Sequence, residues 1–178
     1  MLRNDLVKVD IFDNEIGTIE KMDAHTQPIL HRAFSVFLVN SKGEILIQRR
    51  ALDKYHSAGL WANACCSHPR AGEDVLTSAK ERMLDEIGAS CDVQELFSFV
   101  YNNKFSENLY EYELDHVLLG YYDGDITLNP EEACDYRWLT QQQLAKELLI
   151  EPKKFSSWFT ICAPRVLKIL QQKQNNQQ

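Results

Sequence analysis

No stretch of this sequence is apolar for long enough to cross a bilayer. Its hydrophobic runs are short, such as Val117 to Leu119, where a spanning helix needs about 20 residues. A membrane partner is therefore not expected. No CxxC pair occurs among the five cysteines, Cys65, Cys66, Cys91, Cys134 and Cys162. Their odd number and irregular spacing argue against a disulfide scaffold and against a structural zinc finger. In a reducing compartment they are expected as thiols. Positive charge is scarce too: 19 Lys and Arg stand against 26 Asp and Glu, a formal net charge of −7. That balance excludes a general nucleic-acid binder, which presents a basic surface. The first residues, Met1 to Asp5, hold no stretch of signal-peptide type, and the last, Asn175 to Gln178, carry no lipidation or peroxisomal signal. A cytoplasmic location is the expectation.

What remains is an ordinary globular composition, 44% hydrophobic and 25% charged over 178 residues, enough for one core. No repeat or linker divides it, so residues 1–170 are expected to form one domain and 171–178 a polar, disordered tail. Leu6 to Phe12 alternates as a strand does, with a turn at Asp13-Asn14. Phe34–Val39 and Glu44–Gln48, joined by Asn40-Ser41-Lys42-Gly43, form an expected hairpin. Trp61–His68 reads as one extended segment ended by Pro69. Glu73–Ile87 is the clearest helix, with Leu76, Ala79, Met83 and Ile87 on one face and Gly88 as its stop. Strands are expected over Val93–Tyr101, Leu109–Tyr122 and Asp135–Leu139, and helices over Gln141–Leu149 and Ser156–Leu170. Strands, a helix, more strands, then helices fit an α+β domain with a mixed sheet better than a regular βαβ array.

Several residues could do chemistry. On an extended segment Ala64, Cys66 and His68 share one face, which makes Cys66 and His68 a candidate reactive pair. A buried thiol beside a hydrogen-bonded imidazole is the plainer account. Glu111, Glu113 and Asp115 share a strand face, either a solvated surface or a face turned to a cation. His25 and His31 sit in no strong pattern alone. Three histidines with two or three carboxylates, if they converge, form a nitrogen–oxygen site suited to Mn²⁺, Zn²⁺ or Mg²⁺. Arg82, Asp85 and Glu86 are helix neighbours, either a salt bridge or a Mg²⁺–diphosphate clamp. Basic residues do gather locally: Arg49, Arg50 and Lys54 fall close together, with Lys21, Arg70 and Arg82 near other candidates. An acidic chain could thus still hold a small anion.

The helix resembles a Nudix box, G-x5-E-x7-R-E-U-x-E-E-x-G-U. Ser67 stands at the first glycine, Glu73 matches, and Met83, Asp85, Glu86 and Gly88 fit; Ala89 is a weak last apolar position. The Arg-Glu pair of the hydrolases appears reversed, as Glu81-Arg82. Around it, the order of motifs resembles the type 1 isopentenyl-diphosphate Δ-isomerases, a Nudix-fold family, over about residues 5 to 165. Lys21 and Ala24-His25-Thr26, Leu30-His31-Arg32-Ala33-Phe34-Ser35, and Gln48-Arg49-Arg50-Ala51-Leu52-Asp53-Lys54 resemble its histidine and basic segments. Gly59 to Pro69 resembles its cysteine motif, T-N-[ST]-x-C-[GS]-H-P. Glu111-Tyr112-Glu113 resembles its E-x-E element, and Phe155-Ser156-Ser157-Trp158-Phe159 its late F-[ST]-x-W segment. Ala62, Ala64 and Ala58 depart from the usual Thr, Ser or Thr, and Pro.

The resemblance implies a Nudix-like α/β/α fold and interconversion of isopentenyl and dimethylallyl diphosphates in isoprenoid biosynthesis. It implies Cys66 and Glu113 as the acid–base pair, with Tyr101 assisting Glu113. It further implies a divalent metal (Mg, Mn or Zn) on His25, His31, His68, Glu111 and Glu113, and a second Mg²⁺ on Glu86 with the substrate diphosphate. Lys21, Arg50, Lys54, Ser67 and Arg82 would contact that diphosphate, and Trp158 would face the carbocation, where cation–π attraction is worth about 2 kcal/mol when desolvated. A monomer or weak dimer is expected. The alternatives are a Nudix diphosphate hydrolase, which the order Glu81-Arg82 disfavours, and a non-catalytic metal-binding domain, which gives Cys66 no role.

Overall fold

The computed structural model describes residues 5–176; Met1 to Asn4, and Gln177 and Gln178 of the expected tail, lie outside the described residues. The strands are β1 (Asp5–Val9), β2 (Glu15–Glu20), β3 (His31–Val39), β4 (Ile45–Arg50), β5 (Trp61–Asn63), β6 (Cys65–Ser67), β7 (Val93–Ser106), β8 (Leu109–Tyr121) and β9 (Ala133–Leu139). The helices are α1 (Lys21–Thr26), α2 (Val75–Ile87), α3 (Gln141–Ile150) and α4 (Ser157–Asn175). All nine strands join one mixed sheet. Among the described residues no helix is long and apolar enough to cross a membrane.

The sheet is built around β3. One of its edges pairs in parallel with β8 at every position from His31↔Glu113 to Val39↔Tyr121. The other edge is shared in turn by β1 at His31, β6 at Phe34–Val36 and β4 at Val39. The expected hairpin of Phe34–Val39 with Glu44–Gln48 is thus real only at its turn, where Asn40 and Glu44 exchange hydrogen bonds. Beyond Val39↔Ile45 the two strands part. The gap is filled by the segment read as one extended piece, Trp61–His68. It is in fact two short strands broken at Ala64, β5 on β4 and β6 on β3.

Two apolar layers cover the sheet. On one face α2 packs Ala79, Met83 and Ile87 against Phe34, Val36, Leu38 and Leu118. On the other, α4 packs Phe159, Cys162 and Val166 against Phe37, Tyr101 and Val117; the rings of Phe37 and Phe159 stack at 5.6 Å. Each fully buried Phe, Val, Leu, Ile or Met among them stabilises the fold by roughly 1.5–3 kcal/mol. The expected α+β class, with helices on both faces of a mixed sheet, is what forms.

Some expected bounds move. The helix expected from Glu73 begins at Val75, because Asp74 stays extended and caps it, its Oδ2 accepting from the Thr77 N–H at 3.0 Å. Gly88 ends it at φ 67°, the left-handed conformation that favours glycine. The polar segment from Gln171 continues α4 through Asn175 rather than fraying. Gln and Lys are good helix formers, and they extend a helix already anchored by its packed first turns.

Candidate active site

Strand register assembles the site. His31 lies beside Glu113 and Ala33 beside Asp115 across β3–β8. Tyr101 lies opposite Glu113 across β7–β8, and Cys66 opposite Ser35 across β3–β6. With a side-chain period of two, all of these project from the sheet face that α4 covers. Ala64 does not: the break in the chain turns it and Cys65 into the cluster under α2. The acidic face of Glu111, Glu113 and Asp115 is buried, not a solvated surface.

The residues singled out in the sequence converge. Twelve of the fourteen candidates line one cavity of about 590 Å³, from Lys21 through Cys66 and Glu113 to Trp158. The other two, His25 and His31, are buried behind it and aim at Glu113. The Nε2 atoms of His68, His31 and His25 stand 2.9, 3.5 and 4.0 Å from Glu113 Oε1. His25 Nδ1 lies 2.7 Å from the Lys21 carbonyl and His31 Nδ1 2.8 Å from that of Ile29. A carbonyl only accepts, so each Nδ1 carries the proton and each Nε2 is a bare lone pair. Those two Nε2 atoms are buried and have no hydrogen-bond partner.

Donor atoms of His25, His31, His68 and Glu113 all lie within 4.8 Å of one another. Buried, convergent and unprotonated, they fit a divalent cation. Glu111 falls in an adjoining group with His25 and His56. Burial favours the neutral imidazoles of His25 and His68, lowering His25 and taking His68 down to about 4 against the pull of Glu113. Burial would raise Glu113, but the histidines around it, His31 and His68, outweigh burial and hold the carboxyl well below its usual range. Glu111 is pushed up by burial and by the Glu113 charge. The Tyr101 hydroxyl, kept neutral by burial, reaches Glu113 Oε2 at 2.6 Å and Glu111 Oε2 at 3.0 Å.

Cys66 sits in a cradle built by Asn63, which is fully buried. The Asn63 amide donates through Nδ2 to the carbonyls of Val36 at 3.1 Å and Cys65 at 2.8 Å. That locks its Oδ1 towards the site, where it accepts the Cys66 thiol at 2.9 Å. The Trp158 indole N–H is shared between the same Oδ1, at 3.2 Å, and Cys66 Sγ, at 3.1 Å. Burial, then the nearby Asp115, drives the thiol strongly towards its protonated form. The same Asn63 amide spans the split between β3 and β4, so the break in the sheet and the seating of the thiol are one feature.

At the other end of the cavity carboxylates pair with Arg82 and Lys54. Arg82 Nη2 meets Glu86 Oε1 at 2.7 Å and Glu132 Oε1 at 3.2 Å; Lys54 Nζ meets Glu132 Oε2 at 2.6 Å. Arg50 lies 5.2 Å from the Trp158 ring centroid, and Lys21 5.7 Å from that of Tyr55. Glu81 is exposed, whereas Arg82 faces the cavity. In a box of hydrolase order position 82 would be Glu, one turn before Glu86, making a carboxylate pair. Here that pair is an ion pair.

Sequence reasoning missed Asn63 as a support, and Tyr55, His56 and Glu132 as lining. Glu132 follows Pro130 in a stretch with no periodicity. His56 lies in the basic loop, where no spacing sets it apart.

Comparison with known proteins agrees with this architecture. A NUDIX domain profile matches residues 29–159. The fold also resembles a Deinococcus radiodurans protein (TM-score 0.68, 22% identity, 83% of this chain and 90% of that one). It is similar to a MutT protein from Methanosarcina mazei Go1 (TM-score 0.62, 18% identity, 82% and 95%). Fold and site together define a Nudix-class protein. Within that class, the chain is 46% identical to isopentenyl-diphosphate Delta-isomerase of Serratia proteamaculans, over 86% of each chain. It is 42% identical to isopentenyl-diphosphate Delta-isomerase 2 of Aromatoleum aromaticum, over 93% of this chain and 88% of that one. The chain belongs to the isopentenyl-diphosphate Delta-isomerase family.

Proposed function

We propose that this protein interconverts isopentenyl diphosphate and dimethylallyl diphosphate, with Cys66 and Glu113 as the proton-transfer pair. A proton added to the terminal CH₂ of the alkene leaves a tertiary cation at the branched carbon. Loss of a proton from the neighbouring methylene then sets the double bond one carbon over. The observation that carries this reading is a thiol and a carboxylate lining one cavity, where burial drives the thiol towards its protonated form and neighbouring histidines hold the carboxyl low. The thiol is able to give a proton and the carboxylate to take one, and their roles exchange in the return direction. Their strands, β6 and β8, lie on opposite sides of β3.

The rest of the cavity divides the labour. Lys21, Arg50, Lys54 and Arg82, with Ser67, hold the diphosphate by charge-assisted hydrogen bonds. Glu86, beside them, would hold a Mg²⁺ that enters with the diphosphate. Trp158 offers its ring to the cation and its N–H to the sulfur. Tyr101 orients Glu113. His25, His31, His68 and Glu113, with Glu111 adjoining, would hold a divalent cation of the Mn²⁺, Zn²⁺ or Mg²⁺ type, which would stabilise the ionised form of Glu113.

Purified protein incubated with isopentenyl diphosphate and Mg²⁺ is expected to yield dimethylallyl diphosphate and no free phosphate or pyrophosphate. Cys66→Ala is expected to lower the rate ~1,000-fold while metal content stays near that of the parent. Phosphate release without isomer favours the hydrolase reading. Full activity of Cys66→Ala removes the thiol from the mechanism.

A further inference from the structure

We infer that His56 is a positioning residue for the isomerase site: it fixes Glu111 by donating its Nε2–H to Glu111 Oε1. His56 Nε2 lies 3.2 Å from that oxygen, and both side chains are buried. His56 Nδ1 faces the Ser57 hydroxyl at 3.4 Å, a group able to donate. With Nδ1 turned to a hydroxyl, Nε2 is the nitrogen placed to carry the proton towards Glu111 Oε1. This is the opposite tautomer from His25 and His31, whose Nδ1 atoms are committed to carbonyls and whose Nε2 atoms are bare. His56 therefore stands beside the metal-binding set without being a ligand, although its nitrogen lies close enough to His25 and Glu111 to be one.

The ring is well placed to hold that hydrogen bond. It stacks on Phe105 at 4.7 Å and takes the edge of Tyr55 at 4.5 Å. It also meets the Trp158 ring edge-on at 6.0 Å, and its carbonyl accepts from Arg50 Nη2 at 3.3 Å. The Tyr101 hydroxyl lies 3.0 Å from Glu111 Oε2 but 2.6 Å from Glu113, so His56 is the donor that Glu111 does not share. His56 lies two residues after Lys54 in the β4–β5 loop, so the loop that carries a diphosphate contact also orients a carboxylate of the metal set.

This inference rests on the isomerase reading, and its test keeps the two apart. His56→Phe keeps the ring against Phe105 and removes the donor; His56→Gln keeps an N–H. Metal affinity would be measured by chelator competition with Mn²⁺, together with bound-metal stoichiometry, metal-free Tm, and kcat and KM for isopentenyl diphosphate. Loss of an outer-shell partner costs roughly 10–100-fold in metal affinity or activity. His56→Phe is expected to lose about that much in Mn²⁺ affinity and kcat, with KM and metal-free Tm close to the parent. His56→Gln is expected to recover most of it. Unchanged Mn²⁺ affinity in a folded His56→Phe overturns the inference, as does failure of His56→Gln to recover. A lost equivalent of metal in either variant also overturns it, by making His56 a ligand. Should the parent prove inactive while His56→Phe still loses Mn²⁺ affinity, the functional reading falls and the role of His56 stands.

Discussion

The two ends of the cavity hold similar residue types and behave in opposite ways. At the β3–β8 end, carboxylates meet imidazoles that burial keeps neutral, and two lone pairs have no partner. At the α2 end, Lys54 pairs with Glu132, and Arg82 with both Glu86 and Glu132. The first end lacks a positive charge and seeks a cation. The second has cationic side chains that an anion could draw from their carboxylates. What decides the difference is whether the basic partner keeps its proton when buried: an imidazole gives it up, a guanidinium does not.

Disabling one end should leave the other working. His31→Ala removes a bare Nε2 and is expected to lower Mn²⁺ affinity by about 100-fold, at least the loss typical of an outer partner. Isomerisation should fall with it, while binding of a non-reacting diphosphate measured by calorimetry stays within a few-fold of the parent. Equal loss of both would show that the two ends are one coupled unit. Arg82→Gln is the converse. It removes a charge-assisted contact, so KM is expected to rise roughly 10- to 100-fold, with Mn²⁺ stoichiometry at the histidine end unchanged. If KM holds and metal is lost, the assignment of the anion end is wrong.

The two ends were not equally visible in the sequence. α2 announced itself by Leu76, Ala79, Met83 and Ile87 at helical spacing, so Arg82 and Glu86 could be placed on one face without a structure. β8 announced itself as extended, which put Glu111, Glu113 and Asp115 together but left open whether they faced water. The answer depends on β3, β7 and α4, all distant in sequence. α1 was silent: a helix of 6 residues, started by Glu20 accepting from the N–H groups of Met22 and Asp23, has no periodicity to read. Yet it is what points His25 at Glu113. The parting of β3 and β4 was equally hidden, since turn chemistry at Asn40–Gly43 signals a hairpin but says nothing of how far pairing runs beyond Val39↔Ile45. The family motifs supplied convergence that periodicity could not. They did not supply Glu132 or His56, whose importance comes only from what they touch.

Acid should separate the two ends by pH. In the unfolded chain a histidine binds its proton near pH 6.5. In the folded, metal-free protein His68 stays neutral down to about 4, and His25 is lowered as well, both chiefly by burial. Between those values the unfolded state binds more protons, so the free energy of unfolding falls as pH falls. This contribution is intact above about pH 6.5 and, for His68, is lost by about pH 4. Glu132 works in a lower window. Its carboxyl is depressed below the ordinary 4.5 because Lys54 and Arg82 outweigh burial, so its contribution is intact above 4.5 and lost only below it. The expected result, from Tm recorded between pH 7.5 and 3.5 in the presence of a chelator, is a decline of several degrees beginning near pH 6.5. A bound cation holds the imidazoles unprotonated, so added Mn²⁺ should delay the onset. A metal-free Tm that stays level until pH 4.5 would place the first loss at the anion end and reverse the assignment of which basic groups in this cavity carry their protons.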